Sequence, residues 1–190
     1  MRIQFLDTEL LCWEYNHATP PNQEHHIIQI GIVEVESNSL VILRSQSFYV
    51  RPDYKNFDVS DYCTELTGIT RSKLMDEGHY FPEVLNTIRK KFAPHDKPTY
   101  TWGNDFDCLQ EHCSKYRCEN PWIASSFIDF GVMYKTIFKV KNIPLQNALK
   151  NLHLEYPGSP HNALNDARAL ADLHNEIMHR ASRAFGVNFS

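Results

Sequence analysis

Glycine is scarce, at 7 residues in 190, and no apolar run approaches the ~18 residues that a membrane-spanning helix needs. So little glycine excludes a collagen-like repeat. The longest apolar stretch, Ile27 to Val35, is broken by Gln29 and Glu34, so no bilayer span is expected. Cys12, Cys63, Cys108, Cys113 and Cys118 are an odd number without framework spacing, which excludes a disulfide scaffold and fits reduced thiols. The opening Met1-Arg2-Ile3-Gln4-Phe5-Leu6-Asp7 puts an acid where a secretory peptide keeps its apolar stretch. A cytoplasmic location is the expectation. Surplus positive charge is missing as well: 19 Lys and Arg face 23 Asp and Glu, for a net charge of -4. That excludes a module held to nucleic acid by bulk charge alone. An enzyme whose acids hold divalent cations stays open, because each ion brings two positive charges to where a phosphate sits.

The chain does have apolar material for a core, with 42% hydrophobic and 12% aromatic residues. Its length is that of one compact domain of about 100–200 residues, and a single domain over 1–190 is expected. Ile3 to Leu11 reads as a strand. Residues 16–24, with Pro20-Pro21-Asn22, read as a loop, and Ile27 to Val35 with Leu40 to Val50 as a hairpin around Glu36-Ser37-Asn38-Ser39. Two short helices follow, over Ser60 to Leu66 and Thr70 to Glu77. Phe81, Val84, Leu85, Ile88 and Phe92 then recur at helical spacing behind Pro82. Pro98 to Trp102 and Phe127 to Phe130 suit short strands. Asp105 to Tyr116, Leu145 to Leu152 and Ala163 to Ala184 suit helices. Strands first and alternating elements after predict an α/β fold, a mixed sheet covered by helices.

Several acids stand where apolar residues belong. Asp7 and Glu9 share the strand face of Ile3 and Phe5, roughly 7 Å apart, where desolvation and mutual repulsion call for a divalent cation unless the strand frays and Glu9 reaches water. Asp166 falls on the apolar stripe of Leu170, Leu173 and Ile177, although a first-turn acid also complements the positive end of a helix. His161, five residues earlier, cannot share that helical face. It belongs to the lead-in loop after Pro157-Gly158-Ser159-Pro160, from which an imidazole can take a proton near neutral pH. In Trp102-Gly103-Asn104-Asp105-Phe106-Asp107, Asn104 or Asp105 is a natural N-cap, leaving Asp107 as a first-turn carboxylate able to turn toward a cation.

In order, Phe5-Leu6-Asp7-Thr8-Glu9, Phe106-Asp107 and His161-Asn162-Ala163-Leu164-Asn165-Asp166 resemble the three motifs of the DnaQ-like DEDDh exonucleases. Cys12-Trp13-Glu14 and Val59-Ser60-Asp61-Tyr62-Cys63-Thr64-Glu65-Leu66-Thr67-Gly68-Ile69 are similar to the enhanced-RNAi and histone-mRNA 3′ exonuclease branch. The resemblance implies an RNase H-like fold with a mixed five-stranded sheet flanked by helices. It also implies 3′-to-5′ hydrolysis of single-stranded RNA or DNA ends, RNA favoured, with two Mg²⁺ or Mn²⁺ ions. Carried onto this chain, it makes Asp7, Glu9, Asp107 and Asp166 the metal ligands and His161 the general base. Thr8, Leu10, Leu66, Thr67, Gly68, Ile69, Trp102 and Asn104 become substrate contacts. His26 departs from the acid common in relatives before the Ile-Ile pair. Asn104 looks like an additional residue, which keeps Asp105 in reserve for the role given to Asp107.

Other readings compete. Cys108, His112, Cys113 and Cys118 could suggest zinc but lack a C-x2-C knuckle, and Cys113 shares a helical stripe with Phe106 and Leu109. A scaffold that kept the fold and lost the chemistry is the rival function. It gives no physical reason to keep repelling acids together. Oligomeric state is not legible in the sequence.

Overall fold

The computed structural model describes residues 1–14, 20, 23–141 and 143–186, so most of the loop read over 16–24 lies outside the described residues. Five strands, β1 (Arg2–Leu10), β2 (Ile27–Glu36), β3 (Ile42–Tyr49), β4 (Thr99–Thr101) and β5 (Phe127–Asp129), form one sheet in the order β3-β2-β1-β4-β5. The first three are antiparallel, and β4 and β5 run parallel to β1. This is the mixed sheet expected from the sequence. β1 and β2 are buried on both faces, which is why they read as near-continuous apolar runs.

Seven α-helices among the described residues flank the sheet: α1 (Asp61–Thr67), α2 (Arg71–Glu77), α3 (Phe81–Phe92), α4 (Asp105–Tyr116), α5 (Phe130–Phe138), α6 (Leu145–Asn151) and α7 (Ala163–Phe185). On one face Ile3, Phe5, Val33 and Val35 pack against Ala167, Leu170 and Leu173 of α7. On the other, Leu6, Ile30 and Ile32 meet Val84, Leu85 and Ile88 of α3 and Leu109 of α4. The alternation Phe5-Leu6 thus feeds two cores from one strand.

α5 is not among the elements expected from the sequence. Its Phe130-Gly131-Val132 start and Ile137-Phe138 end have poor helix propensity. It forms because Asp129 caps it, accepting from the Val132 amide at 3.1 Å, and because Phe130 and Tyr134 bury into the α7 core. Tertiary burial overrides propensity here.

The position of α7 depends on a missing side chain. Gly31 lies opposite Asp7 in the β1–β2 register, and a Cβ there would stand 2.1 Å from the Ala163 carbonyl oxygen. Gln29, one pleat away, accepts from the Ala163 amide at 2.9 Å and so satisfies one of the unpaired N–H groups at the start of the helix. Its own amide donates to Ser47 Oγ at 2.8 Å, which holds the acceptor in place. We expect Gly31→Ala to push α7 off the sheet and lower stability by about 1–3 kcal/mol, read as a lower melting temperature. An unchanged melting temperature would show that the helix does not rest on the strand this closely.

Candidate active site

Parallel strands bring their carboxyl ends to one edge, where loops collect polar groups. β1 ends there in Asp7 and Glu9. β4 ends at Thr101, and the following turn feeds directly into α4, whose first residue is Asp105. The Thr8 amide and hydroxyl both donate to Asp105 Oδ1, at 2.9 and 2.7 Å, fastening α4 to β1. From the opposite side, α7 enters over Gly31 and presents Asp166. The Tyr156 hydroxyl donates to Asp166 Oδ1 at 2.6 Å and the His161 amide to Oδ2 at 3.2 Å. Ligand atoms of Glu9, His161 and Asp166 lie within 4.8 Å of one another.

The electrostatics are those of crowded acids. Burial, then Asp105, Asp166 and Glu9, holds the Asp7 carboxyl well above the usual range. Burial, then Asp166, Cys63 and Asp105, pushes Glu9 up to about 8. Burial raises Asp105 to about 6 against the two Thr8 donors, with Asp129 adding to the rise. Asp166 is raised by burial despite the Tyr156 hydrogen bond. Among the described residues no ion pair with Lys or Arg relieves any of the four. The carboxylate oxygens suit hard cations such as Mg²⁺ or Mn²⁺, which can compensate this repulsion where the protein does not.

One expected position is corrected by this geometry. Asp107 is exposed, on the side of α4 away from the acids, whereas Asp105 is 9% exposed and stands next to Asp7. The buried face of α4 is Asp105, Leu109, His112 and Cys113, so the pitch of the helix decides between the two acids.

The expected substrate contacts divide. Thr67 and Ile69 are buried. Thr67 Oγ1 donates to the Cys63 carbonyl at 2.7 Å and accepts from the Ile69 amide at 3.1 Å, leaving Leu66 half-buried and Gly68 exposed at the helix end. The Thr8 hydroxyl is engaged with Asp105, and Leu10 packs partly against the α3 core. Trp102 lines a cleft of about 350 Å³ with Gly103, Asp129 and Lys135, while its Nε1 donates to the Ile143 carbonyl at 3.3 Å. Asn104 borders a neighbouring space of about 470 Å³ beside Asp129.

The zinc alternative loses a ligand, because His112 Nε2 accepts from the Ile27 amide at 3.0 Å and Nδ1 donates to the Cys108 carbonyl at 2.9 Å. His26, at the other departure from the motif, is likewise buried between the Ile27 carbonyl and Tyr116. Two groups escaped the sequence reading, Tyr156 and Gln29. Tyr156 sits in a loop with no periodic context. Gln29 breaks an apolar strand, and that interruption was its only signal.

Comparison with known proteins finds relatives over nearly the whole chain. The family model described as Exonuclease (RNase_T) matches residues 5–174. Human 3′-5′ exoribonuclease 1 is 30% identical over 181 residues, covering 90% of this chain and 50% of that protein. The 3′-5′ exonuclease Snipper of Drosophila melanogaster is 29% identical over 188 residues, covering 88% of this chain and 66% of the relative. This chain therefore spans about half the length of the human relative. Among solved structures, the nuclease domain of 3′hExo, a DEDDh family member bound to rAMP, superposes with a TM-score of 0.81 at 28% identity, over 94% of this chain and 92% of that one. The RNase H-like architecture is thereby shared with DEDDh nuclease domains.

The raised carboxyls carry a sign for stability. A group whose native pKa lies above its unfolded value stabilises the fold at low pH and loses that contribution as pH rises through the native value. The buried neutral His26, His112 and His174, whose pKa values are lowered, act in the opposite sense only below about pH 6.5. In chelator, then, the melting temperature is expected to fall as pH rises from about 6.5 through about 8, where Glu9 is forced to ionise. Saturating Mg²⁺ or Mn²⁺ should raise it and flatten the slope. A melting temperature independent of pH in chelator and unmoved by either ion would contradict the cluster.

Proposed function

We propose that this chain, which belongs to the exonuclease family whose model matches residues 5–174, is a 3′-to-5′ exonuclease acting on single-stranded nucleic acid ends, RNA in preference to DNA. The observation that carries the reading is the convergence of Asp7, Glu9, Asp105 and Asp166 from three separate stretches of chain, none of them in an ion pair with Lys or Arg among the described residues. The exoribonuclease name of the human relative supports RNA, and the 3′-5′ direction in both relatives' names supports attack from the 3′ end.

In this reading the four carboxylates hold two Mg²⁺ or Mn²⁺ ions, with Asp105 in the place that the motif spacing alone assigns to Asp107. Bound there, such ions supply Lewis-acid stabilisation of the phosphoryl oxygens and lower the pKa of an attacking water. His161 is exposed on its loop, with a ring nitrogen close to the Glu9 and Asp166 oxygens, and accepts the proton of that water. In the same reading a terminal nucleotide and its neighbours would be received by Leu66 and Gly68, at the end of α1, and by the clefts beside Trp102 and Asn104. A terminal base must be unpaired to reach such a site, which favours single strands.

The test is digestion of matched 3′-labelled and 5′-labelled RNA and DNA strands, with manganese or with chelator. Stepwise shortening from the 3′ end, faster on RNA and absent in chelator, is expected. Asp105→Asn should lose at least ~100-fold in rate and Asp107→Asn should stay near wild type, consistent with the scale of lost transition-state electrostatics. His161→Ala should lose rate with nearly unchanged metal affinity. Intact strands alongside normal binding would favour the scaffold reading, and an inactive Asp107→Asn beside an active Asp105→Asn would reverse the assignment.

A further inference from the structure

Asp166 accepts hydrogen bonds at both of its oxygens, and both donors come from one short segment. The Tyr156 hydroxyl reaches Oδ1 at 2.6 Å and the His161 amide reaches Oδ2 at 3.2 Å. That segment is folded back over the first turn of α7. Gly158 turns it at φ 101°, and a Cβ there would stand 2.6 Å from Asn165 Nδ2, so only glycine lets the loop lie this low. Asn165 Nδ2 donates to the Ser159 carbonyl at 3.1 Å, and His161 itself takes φ 59°, a left-handed turn that ends the loop. The Tyr156 ring is half-buried against the α7 core, which leaves the phenol little freedom.

We infer that Tyr156 is a positioning residue that sets Asp166 and the His161 loop together, so that cation affinity and proton transfer depend on one hydroxyl. The inference rests on the nuclease reading above. Free of the phenol, the Asp166 carboxylate turns in the broad torsional well of its terminal bond. A short hydrogen bond from a hydroxyl to a carboxylate removes that freedom and is among the stronger neutral-to-charged contacts. The same bond pins the start of the segment whose other end carries His161. Loss of it therefore acts at two places, the oxygen that holds a cation and the ring that accepts a proton. Removing a hydrogen-bonding partner of a metal-holding carboxylate typically costs ~10–100-fold in metal affinity or activity.

The experiment compares wild type, Tyr156→Phe and His161→Ala in the full chain. It measures the Mn²⁺ dissociation constant by calorimetry, and kcat and KM on a 3′-hydroxyl oligonucleotide at saturating Mn²⁺. The melting temperature in chelator checks that the phenylalanine variant is folded. Tyr156→Phe is expected to bind Mn²⁺ at least ~10-fold more weakly, to keep a kcat at least ~10-fold lower even at saturating Mn²⁺, and to leave KM for the oligonucleotide nearly unchanged. His161→Ala should lower kcat alone. Wild-type affinity and kcat in a folded Tyr156→Phe overturn the inference and leave the nuclease reading intact. Weaker Mn²⁺ binding with kcat fully restored by excess ion overturns the link to His161. A wild type that neither binds Mn²⁺ nor cleaves overturns the reading beneath it.

Discussion

Repulsion among carboxylates at the end of β1 is the constraint around which the rest of the molecule is arranged. Asp7 and Glu9 sit on the strand face that buries Phe5 two residues before Asp7, and α4 and α7 each add another acid beside them. A fold stabilised by burial has no use for such a cluster. Putting even one carboxylate out of reach of water costs free energy, and every neighbour of like charge adds to the cost. The architecture accepts it and then fixes two of the acids with neutral donors: Thr8 on Asp105, Tyr156 and the His161 amide on Asp166. These contacts orient the oxygens without cancelling their charge, which leaves cations as the compensating partner.

The supporting structure explains how distant segments meet. Gly31 and Gln29 together seat the start of α7 on β2, and the small residues Ala163, Ala167 and Ala171 let the helix lie close to the sheet. β4 is only three residues long, yet its parallel pairing with β1 aims the following turn at Asp7. Several basic residues serve local structure away from the acids. Arg2, Arg44 and Lys97 converge on the buried Glu34, and Arg71 lies over the Phe57 ring. Local order and the site's field are therefore handled by different parts of the chain.

Most of the fold was legible because its long elements are strongly periodic. The stripe over Phe81, Val84, Leu85, Ile88 and Phe92 gives α3 as it stands, and the Ile27–Val35 run gives β2 to within a residue. α5 was not legible, since its residues favour strand or turn and only burial makes them helical. At the site, Asp166 could be read from its place on the apolar stripe of α7. The same test, applied to α4, picks Asp105, which shares a face with Leu109, His112 and Cys113, and leaves Asp107 outside. Motif spacing points to Asp107 because an aromatic-acid pair carries no information about the helical face that the acid takes. Tyr156 could not have been found this way, because it acts from a loop across ten residues of sequence.

The central claim, that these acids share a pocket made tolerable by bound divalent ions, is tested most directly by anomalous scattering from a crystal of the chain grown or soaked in manganese. Two anomalous peaks are expected among the carboxylates of Asp7, Glu9, Asp105 and Asp166, with Asp107 remote from both. Absence of anomalous density at that strand end, with the four side chains turned apart, would contradict the account.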